Sequence, residues 1–377
     1  MNLATADRTL LKRQLTDLSR AIEEMLLTGL TAASESTRQT LDVTFREASR
    51  LRLLRLASTL RGANEEIGRY VTQQNEFSAK RLSFFLNRAW MLGQGLMAAI
   101  QNNDDAALAR LLWTQPTRPV DRLEVVTLGV GKKVAKGSFC AFEFRLREIS
   151  GANPSRLVWS CIFPLKADNE IPPEGFLQLP QKQKFKTSIF LDPKVLTMTN
   201  AMIADDGHGC GRVTLTDTST VTAGDAFGDW SRFATWSPES LVARLRSHEP
   251  GPLDLEIELQ DEVVLSDWTI QAPPEGERDG QVVYPLFSSQ LQFDAVAPSG
   301  VDGAALRKQL DDLVKAKTRP PLYGLLHFDR ARFTLQPLAL LTESGPTLIT
   351  ISTESINSKA LLKTLKFWFI RLFGGMN

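Results

Sequence analysis

One stretch of sequence decides the fold class of this chain: PTRPVDRLEVVTLGVGKKVAKGSFCAFEFRLREI, residues 116–149. Pro116 and Pro119 interrupt the helical spacing that precedes them, and the residues that follow alternate between apolar and polar types. A period of two is typical of strands, whereas apolar residues at intervals of three and four are typical of helices. We therefore place a boundary here, between a helical region and a β-rich region.

The same stretch predicts its own supersecondary structure. Residues 123–131 and 138–149 are rich in β-forming side chains, and a short connection that includes Lys132 and Lys133 separates them. Two such runs around a glycine- and lysine-containing connection are typical of a β-hairpin.

Upstream of the boundary, large apolar residues recur at helical spacing. They predict helices over residues 9–30, 36–60 and 65–101, the last with a break near Asn75. A short helix follows Asp104 and Asp105, whose carboxylates suit the positive end of the helix dipole. Gly62 is the predicted stop of the second helix. Together these helices predict an antiparallel bundle over residues 1–115.

Downstream, short strand patterns alternate with loops that contain proline and glycine. Strands are predicted over residues 156–165, 254–259, 262–271, 281–293, 322–328, 332–341 and 347–352, with one helix over residues 302–317. The fold class is therefore α+β. A helical bundle (1–115) is followed by a mainly antiparallel β-rich region (120–356), which can divide into two subdomains near residue 200, and by a short C-terminal amphipathic helix (357–377).

Composition narrows the functional class. The 377 residues carry a formal net charge of +1, which argues against a surface built as a whole for polyanions but leaves a local basic patch open. The three cysteines, Cys140, Cys161 and Cys210, show no paired spacing, which favours a reducing compartment. The N-terminus lacks the pattern of a secretory signal, and no apolar run is long enough to span a membrane. We predict a cytoplasmic protein.

Charge is distributed unevenly along the chain. Residues 201–300 contain five basic and 17 acidic residues, whereas the remaining segments are mildly positive. A solvated acidic sheet face with acidic loops is the plainer interpretation. The alternative is an acidic surface that binds a basic partner.

The densest polar cluster is DDGHGCGR, residues 205–212. Its side chains are of types that bind metals, but their spacing fits neither a zinc site nor a calcium loop, so a glycine-rich loop is the plainer interpretation. The alternative is a metal-dependent hydrolase that uses Asp205, Asp206 and His208, with Cys210 nearby. Nucleophile, nucleotide and zinc motifs of defined spacing are absent from the sequence. We therefore assign no catalytic residue and expect no metal or cofactor.

Lys182, Lys184 and Lys186 alternate with Gln181, Gln183 and Phe185. An extended backbone would place the three ammonium groups on one side, where they could meet phosphates or an acidic protein surface. Protection of an exposed strand edge or loop is the plainer interpretation, and anion binding is the alternative. For nucleic-acid binding, Phe185 and Phe190 are the only nearby aromatic residues for base stacking.

The C-terminal segment is amphipathic at helical spacing. Leu361, Leu365, Trp368 and Leu372 share one face, and Lys359, Lys363 and Lys366 share another. Packing of the apolar face onto its own domain is the plainer interpretation, and binding to a partner protein or to a membrane surface are the alternatives.

Several runs resemble known bacterial sequences. They are LTDL (15–18), IEEMLLTGL (22–30), ASRL (48–51) and LASTLR (56–61) in the helical region, and PLYG (321–324) and FTLQPLAL (333–340) in the β-rich region. The helical runs are similar to a segment of SWIM-type zinc-finger proteins, and both sets are similar to proteins encoded beside MoxR-type AAA+ ATPases and von Willebrand A-domain proteins. The zinc-binding C-x-C and C-x-H pair of the SWIM type is missing from this sequence, so zinc binding is not carried over. The resemblance implies a non-enzymatic accessory component of a bacterial multiprotein system, whose partners would include such an ATPase and such an A-domain protein.

The leading hypothesis is therefore a non-enzymatic interaction or scaffold protein, possible partners being those two classes of protein. A nucleic-acid-binding module that uses the lysines 182, 184 and 186 and the arginines of the second helix is the first alternative. The unrecognised metal-dependent hydrolase is the second.

Overall fold

The chain divides into two compact units in the computed structural model: Met1–Gln115 with Gly251–Asp254, and Pro116–Pro250 with Leu255–Asn377. The structure describes residues 5–30, 35–73, 77–112, 117–135, 139–150, 155–165, 172–205, 210–234, 236–239, 241–242, 260–276, 280–289, 291–300, 303–329 and 332–351. The strand predicted over residues 254–259 and the helix predicted over residues 357–377 lie outside this set. The architecture is α+β, with helices followed by a β-rich region, as predicted.

Five helices build the first unit. They are α1 (Thr5–Thr28), α2 (Glu35–Arg50), α3 (Leu54–Val71), α4 (Ala79–Gln101) and α5 (Asp105–Leu112). The predicted apolar stripe of α1 is buried in the core of this unit, with Leu15, Leu18 and Ile22 fully enclosed. The predicted start of α5 is confirmed, since the Asp104 carboxylate accepts a hydrogen bond from the Ala107 backbone N–H at 2.9 Å.

The predicted second helix is in fact two helices. α2 ends in a Schellman motif, in which the N–H of Leu53 donates to the carbonyl of Ala48 at 2.8 Å and the N–H of Arg52 donates to that of Ser49 at 3.1 Å. Arg52 occupies the left-handed position at φ 56°, where glycine is the usual residue. An arginine at this position carries no stop signal in the sequence, which is why the break was not predicted.

Gly62 does not stop a helix, contrary to the prediction. It lies inside α3, and a Cβ atom at this position would come within 2.7 Å of the Phe85 ring. The glycine therefore gives Phe85 of α4 room to approach α3.

Five strands form a closed barrel in the second unit: β1 (Thr117–Ala135), β2 (Phe139–Glu148), β3 (Arg156–Pro164), β4 (Lys194–Asp205) and β5 (Cys210–Ala226). The predicted hairpin is confirmed as the antiparallel pair β1 and β2, but Lys132 and Lys133 do not belong to its connection. Lys132 and Lys133 are strand residues opposite Phe142 and Ala141, and the Lys132 ammonium lies 2.7 Å from the Glu174 carboxylate. β4 and β5 have no counterpart among the predicted strands. In β5, five threonines blur the contrast between its two faces.

The strand order around the barrel is β1-β2-β3-β5-β4, and β3 runs parallel to β5. This order, with its parallel closure, is that of the OB fold, a five-stranded Greek-key barrel. Two 3-10 helices, Pro173–Gln178 and Thr187–Leu191, connect β3 to β4. They contribute Phe176 and Phe190 to the barrel core.

The second sheet of this unit repeats the same order. Its strands are β6 (Gln260–Leu265), β7 (Thr269–Ile270), β8 (Gln281–Ser288), β9 (Leu291–Pro298), β10 (Leu322–Asp329), β11 (Arg332–Thr342) and β12 (Gly345–Leu348). Its strand order is β7-β8-β9-β11-β10-β6, and β9 runs parallel to β11. When β6 and β7 are counted together as the first strand, this is the order 1-2-3-5-4-1 of the first barrel. Helix α6 (Ala304–Lys315) connects the third strand to the fourth. The second unit is therefore a tandem of OB-type folds.

A hydrophobic junction joins the two folds of this unit. Val126 and Leu128 of β1 share one buried cluster with Tyr323 of β10 and Leu338 of β11. Gly129 permits this approach, because a Cβ atom there would lie 2.7 Å from the Tyr323 ring and 2.9 Å from Leu338.

Candidate functional site

A groove of about 300 Å³ opens on the outer wall of the first barrel. It lies between β3 and β5. Its walls are formed by Trp159, Ser160, Cys161 and Ile162 on β3, by Arg212, Val213, Thr214 and Leu215 on β5, and by Gln181 and Gln183 from the connection between the two 3-10 helices.

The groove exists because β3 and β5 separate after a short pairing. β3 pairs with β2 along its whole length, but it pairs with β5 only over residues 156–159. Beyond that point β5 contains a bulge relative to its other neighbour, β4. Leu215 of β5 pairs with Ala201 of β4, but the next paired residue of β5 is Thr220, which pairs with Thr199. The four residues between them loop around Asn200, whose carbonyl accepts a hydrogen bond from the Ser219 hydroxyl at 2.7 Å.

Residues 181–186 form a turn, which we name the lysine turn, at the edge of the groove. Phe185 anchors it, because its ring is buried in the barrel core 5.8 Å from the Trp159 ring. Gln183 donates a hydrogen bond from its amide to the carbonyl of Thr216 at 3.0 Å, which ties the turn to the bulge of β5. The structure thus brings the predicted lysine segment to the groove.

The conformation of this segment differs from the extended one considered above. The N–H of Lys184 donates to the carbonyl of Gln181 at 2.9 Å, and Lys184 has a left-handed φ of 65°. The three lysines are all exposed, but they project from a turn and do not form the comb of an extended strand. A turn is not an open strand edge, so of the two forms of the plainer interpretation only protection of a loop applies to them.

Base stacking on this segment is also contradicted. Phe185 is 7% exposed and Phe190 is fully buried, where the Phe190 ring stacks on that of Trp159 at 4.5 Å. Both aromatic residues belong to the barrel core. The lysine turn therefore offers positive charge without a stacking platform.

The groove combines positive charge with one exposed apolar side chain. Its lining and the lysine turn contain four basic residues, Lys182, Lys184, Lys186 and Arg212, and the neighbouring bulge of β5 adds one acidic residue, Asp217. Lys182 pairs with Asp217 at 2.7 Å, and the Arg212 guanidinium lies 3.4 Å from the Ser160 hydroxyl. Ile162 is 68% exposed. Such a surface can hold a negatively charged ligand that also offers apolar contact.

The second OB-type fold covers the other end of this outer wall. Glu262 of β6 is buried beside Arg147 and Arg145 of β2, with 3.8 Å between the Arg145 guanidinium and the Glu262 carboxylate. Asp261 pairs with Arg156 of β3 at 2.6 Å. Burial alone would raise the pKa of Glu262, but the charges of Arg147 and Arg145 hold it below its ordinary value. The part of the wall around Ser160 and Ile162 is left open.

The other predicted site residues fall elsewhere. Asp205 ends β4 and Cys210 begins β5, while Asp206 and His208 lie outside the described residues. Among the described residues, no three His, Cys, Asp or Glu side chains form a group that could hold a metal ion. Burial raises the pKa of Cys140 to about 11 and that of Cys161 to about 12, so both thiols stay protonated at neutral pH. Leu361, Leu365, Trp368 and Leu372 also lie outside the described residues, and their partner-binding role stays a prediction.

Two residues of the groove, Ile162 and Arg212, were not among the predicted site residues. Ile162 lies in a predicted strand on the same face as Val158 and Ser160, and alternation alone does not distinguish an exposed isoleucine from a buried one. Arg212 carries no signal either, because its position beside Ser160 depends on the pairing of β3 with β5.

No protein-family model and no curated protein matches this chain. Solved structures that match include an Ifi202 HINa domain in complex with 20-bp double-stranded DNA (8% identity, 59% of this chain and 94% of that chain, TM-score 0.26) and the tetrameric p202 HIN2 (9% identity, 62% and 96%, TM-score 0.27). A murine DNA-binding protein bound to double-stranded DNA also matches (11% identity, 58% and 90%, TM-score 0.24). TM-scores this low do not establish a shared fold. Among the described helices, none has the length and apolar character needed to cross a membrane.

Proposed function

We propose that this chain is a non-enzymatic binding protein that holds an anionic macromolecular partner in the groove between β3 and β5. The observation that carries the proposal is the charge around the groove: Arg212 in its lining and three exposed lysines in the adjacent lysine turn, against Asp217 in the bulge of β5, beside an exposed isoleucine. Opposite charge across an interface speeds association and fixes its register. OB folds bind oligonucleotides and oligosaccharides on the face of strands two and three, and this groove borders strand three.

An anionic protein partner and a nucleic acid are both consistent with this charge. The protein partner is the leading candidate, since an exposed aliphatic side chain supplies apolar contact and the aromatic residues near the lysine turn are in the core. Nucleic acid is the second candidate. Lys184, Lys186 and Arg212 favour it, because lysine and arginine contacts to phosphates dominate such binding.

Fluorescence anisotropy of the full chain with labelled polyglutamate and labelled oligothymidine tests the proposal. We expect at least one probe to bind, with an affinity that falls steeply between about 50 and about 200 mM salt. Arg212→Ala and Lys184→Asn should each weaken binding roughly fivefold, because each removes one charge at the groove. Asparagine is chosen because it tolerates the left-handed backbone of Lys184.

Lys308→Ala is the matched control. Lys308 is an exposed lysine of α6, so its loss changes the net charge equally but leaves the groove intact. Equal weakening by the control and the groove variants would contradict the proposal, as would failure of both probes to bind at low salt.

A finer proposal concerns the partner system. The resemblance of the helical runs and of residues 321–340 to proteins encoded beside MoxR-type AAA+ ATPases supports an accessory role with such an ATPase and a von Willebrand A-domain protein. Stoichiometric co-purification of the full chain with an ATPase encoded next to it would support this role. Loss of the complex on Trp368→Ala, with Lys359→Ala as the control, would assign the contact to the predicted C-terminal helix.

A further inference from the structure

The edge of β3 beside the groove is open. β2 occupies one side of β3 from Arg156 to Pro164, but on the other side β5 pairs only with residues 156–159. Within the described part of the chain, no strand pairs with that side of residues 160–164. The backbone N–H and C=O groups of an open strand edge are a template for pairing with another chain.

The side chains around this edge are arranged in two layers. Trp159, Cys161 and Val213 point toward the apolar core of the barrel, whereas Ile162 and Arg212 are exposed on the outside. A strand that lies in the groove would present alternate residues to these two layers, because successive side chains point to opposite faces of a sheet.

The chemistry of each layer selects a residue type. The inner layer offers apolar contact, which suits an aliphatic side chain. The outer layer offers Arg212 with Lys182, Lys184 and Lys186 of the lysine turn nearby, which suits a carboxylate. An extended segment in which acidic and aliphatic residues alternate satisfies both layers at once.

We infer that the groove takes an extended acidic peptide, which adds to β3 as a strand along residues 160–164. The inference rests on the proposed function and names its partner class. Backbone hydrogen bonds to the β3 edge supply affinity, and the alternation of side chains supplies specificity, as in other cases of strand addition. Ile162 borders the added strand on its outer side.

Synthetic peptides test this inference with the full chain. One labelled octapeptide alternates glutamate with valine, and a second contains the same residues in two blocks. Two further versions of the alternating peptide carry N-methyl groups on one or the other set of alternate backbone nitrogens, which removes N–H donors without changing charge. Fluorescence anisotropy measures each affinity, and labelled oligothymidine is titrated in parallel.

The alternating peptide is expected to bind at least tenfold more tightly than the block peptide. Methylation in one register should weaken it by tenfold or more, and methylation in the other register should change little, because only one side of the added strand pairs with β3. Ile162→Asp should weaken binding of the alternating peptide at least tenfold. The control Val43→Asp, on an exposed β-branched residue of α2 that is 54% exposed, should leave it unchanged.

Equal affinities for the alternating, block and methylated peptides would overturn strand addition but leave the anionic groove standing. Binding of oligothymidine alone, sensitive to Arg212→Ala, would overturn the peptide and assign the groove to nucleic acid. Failure of every probe would overturn both this inference and the proposed function. Because the methylated peptides alter the ligand, the central comparison does not depend on how any protein variant folds.

Discussion

A single residue decides how closely the two OB-type folds of the second unit approach each other. Gly129 lies where β1 faces both the Tyr323 ring and Leu338, and both of those side chains are fully buried. The sequence shows a glycine in a strand, which is typical of a bulge or a close approach. It does not show which element approaches, because Tyr323 lies far away along the chain.

Gly129→Ala is expected to lower the free energy of unfolding by about 2 kcal/mol, since the added methyl group would overlap a packed core. Gly131→Ala is the control in the same strand, where the nearest atom to a new Cβ is 3.8 Å away. Urea unfolding measures both variants. Equal stability of the two would show that the junction yields to the methyl group.

The buried carboxylate of Glu262 gives the second residue-scale prediction. Glu262→Gln leaves Arg147 buried without the carboxylate that it pairs with, and this should cost about 3 kcal/mol or more. Glu143→Gln is the control, because the Glu143 side chain is 42% exposed and pairs with Arg145 from outside; its effect should stay below about 1 kcal/mol.

The same substitution has a pH signature. The pKa of Glu262 is lower in the folded chain than its ordinary value, so its contribution to stability is present above about pH 4.3, the ordinary glutamate pKa, and is lost as the pH falls toward the folded pKa. The difference in unfolding free energy between the wild type and Glu262→Gln should therefore narrow below that pH. A difference that stays constant down to the acid transition would contradict this assignment.

At the scale of elements, patterns of local origin were predictable. The stripe of α1, the hairpin of β1 and β2, helix α6 and strands β10 and β11 follow from periodicity, whereas the run predicted as one strand over residues 281–293 contains both β8 and the start of β9. The break between α2 and α3 was missed because Arg52 fills a position that usually holds glycine. The groove was missed because it depends on the pairing of β3 with β5. Along the sequence, two 3-10 helices and β4 lie between these two strands.

Arg52→Gly is expected to raise the free energy of unfolding by about 0.5 kcal/mol or more, because glycine adopts the left-handed conformation without steric cost. Arg61→Gly is its control, since Arg61 lies inside α3 and the same change there should cost about 1 kcal/mol. Thermal unfolding, followed by circular dichroism, distinguishes the two signs. A loss of stability in Arg52→Gly would mean that its side chain contributes more than the backbone strain costs.

Phe185 should contribute far more to the free energy of unfolding than the surface ion pair of the lysine turn. Phe185→Ala removes a buried ring and should cost about 3 kcal/mol. Lys182→Ala removes one partner of a pair in which both side chains are more than 70% exposed, and this should cost less than about 0.5 kcal/mol. Urea unfolding of both variants measures the contrast, and similar losses would show that the ion pair holds the turn.

At the scale of the whole molecule, charge is balanced between distant parts of the sequence. Several acidic residues of the segment 201–300 pair with basic residues from outside it: Asp261 with Arg156, Glu262 with Arg147, Asp294 with Arg332 and Asp217 with Lys182. Part of the negative charge of this segment is thus neutralised by ion pairs within the fold. An acidic surface that binds a basic partner stays a prediction, since much of that segment lies outside the described residues.

The central claim is that the partner binds to the open wall between β3 and β5. Hydrogen exchange of the full chain, measured by mass spectrometry with and without saturating alternating glutamate–valine peptide, tests this most directly. We predict slower exchange in residues 160–163, 181–186 and 212–215, with the helical unit and α6 unchanged. Protection confined to other segments, or none at saturation, would contradict it.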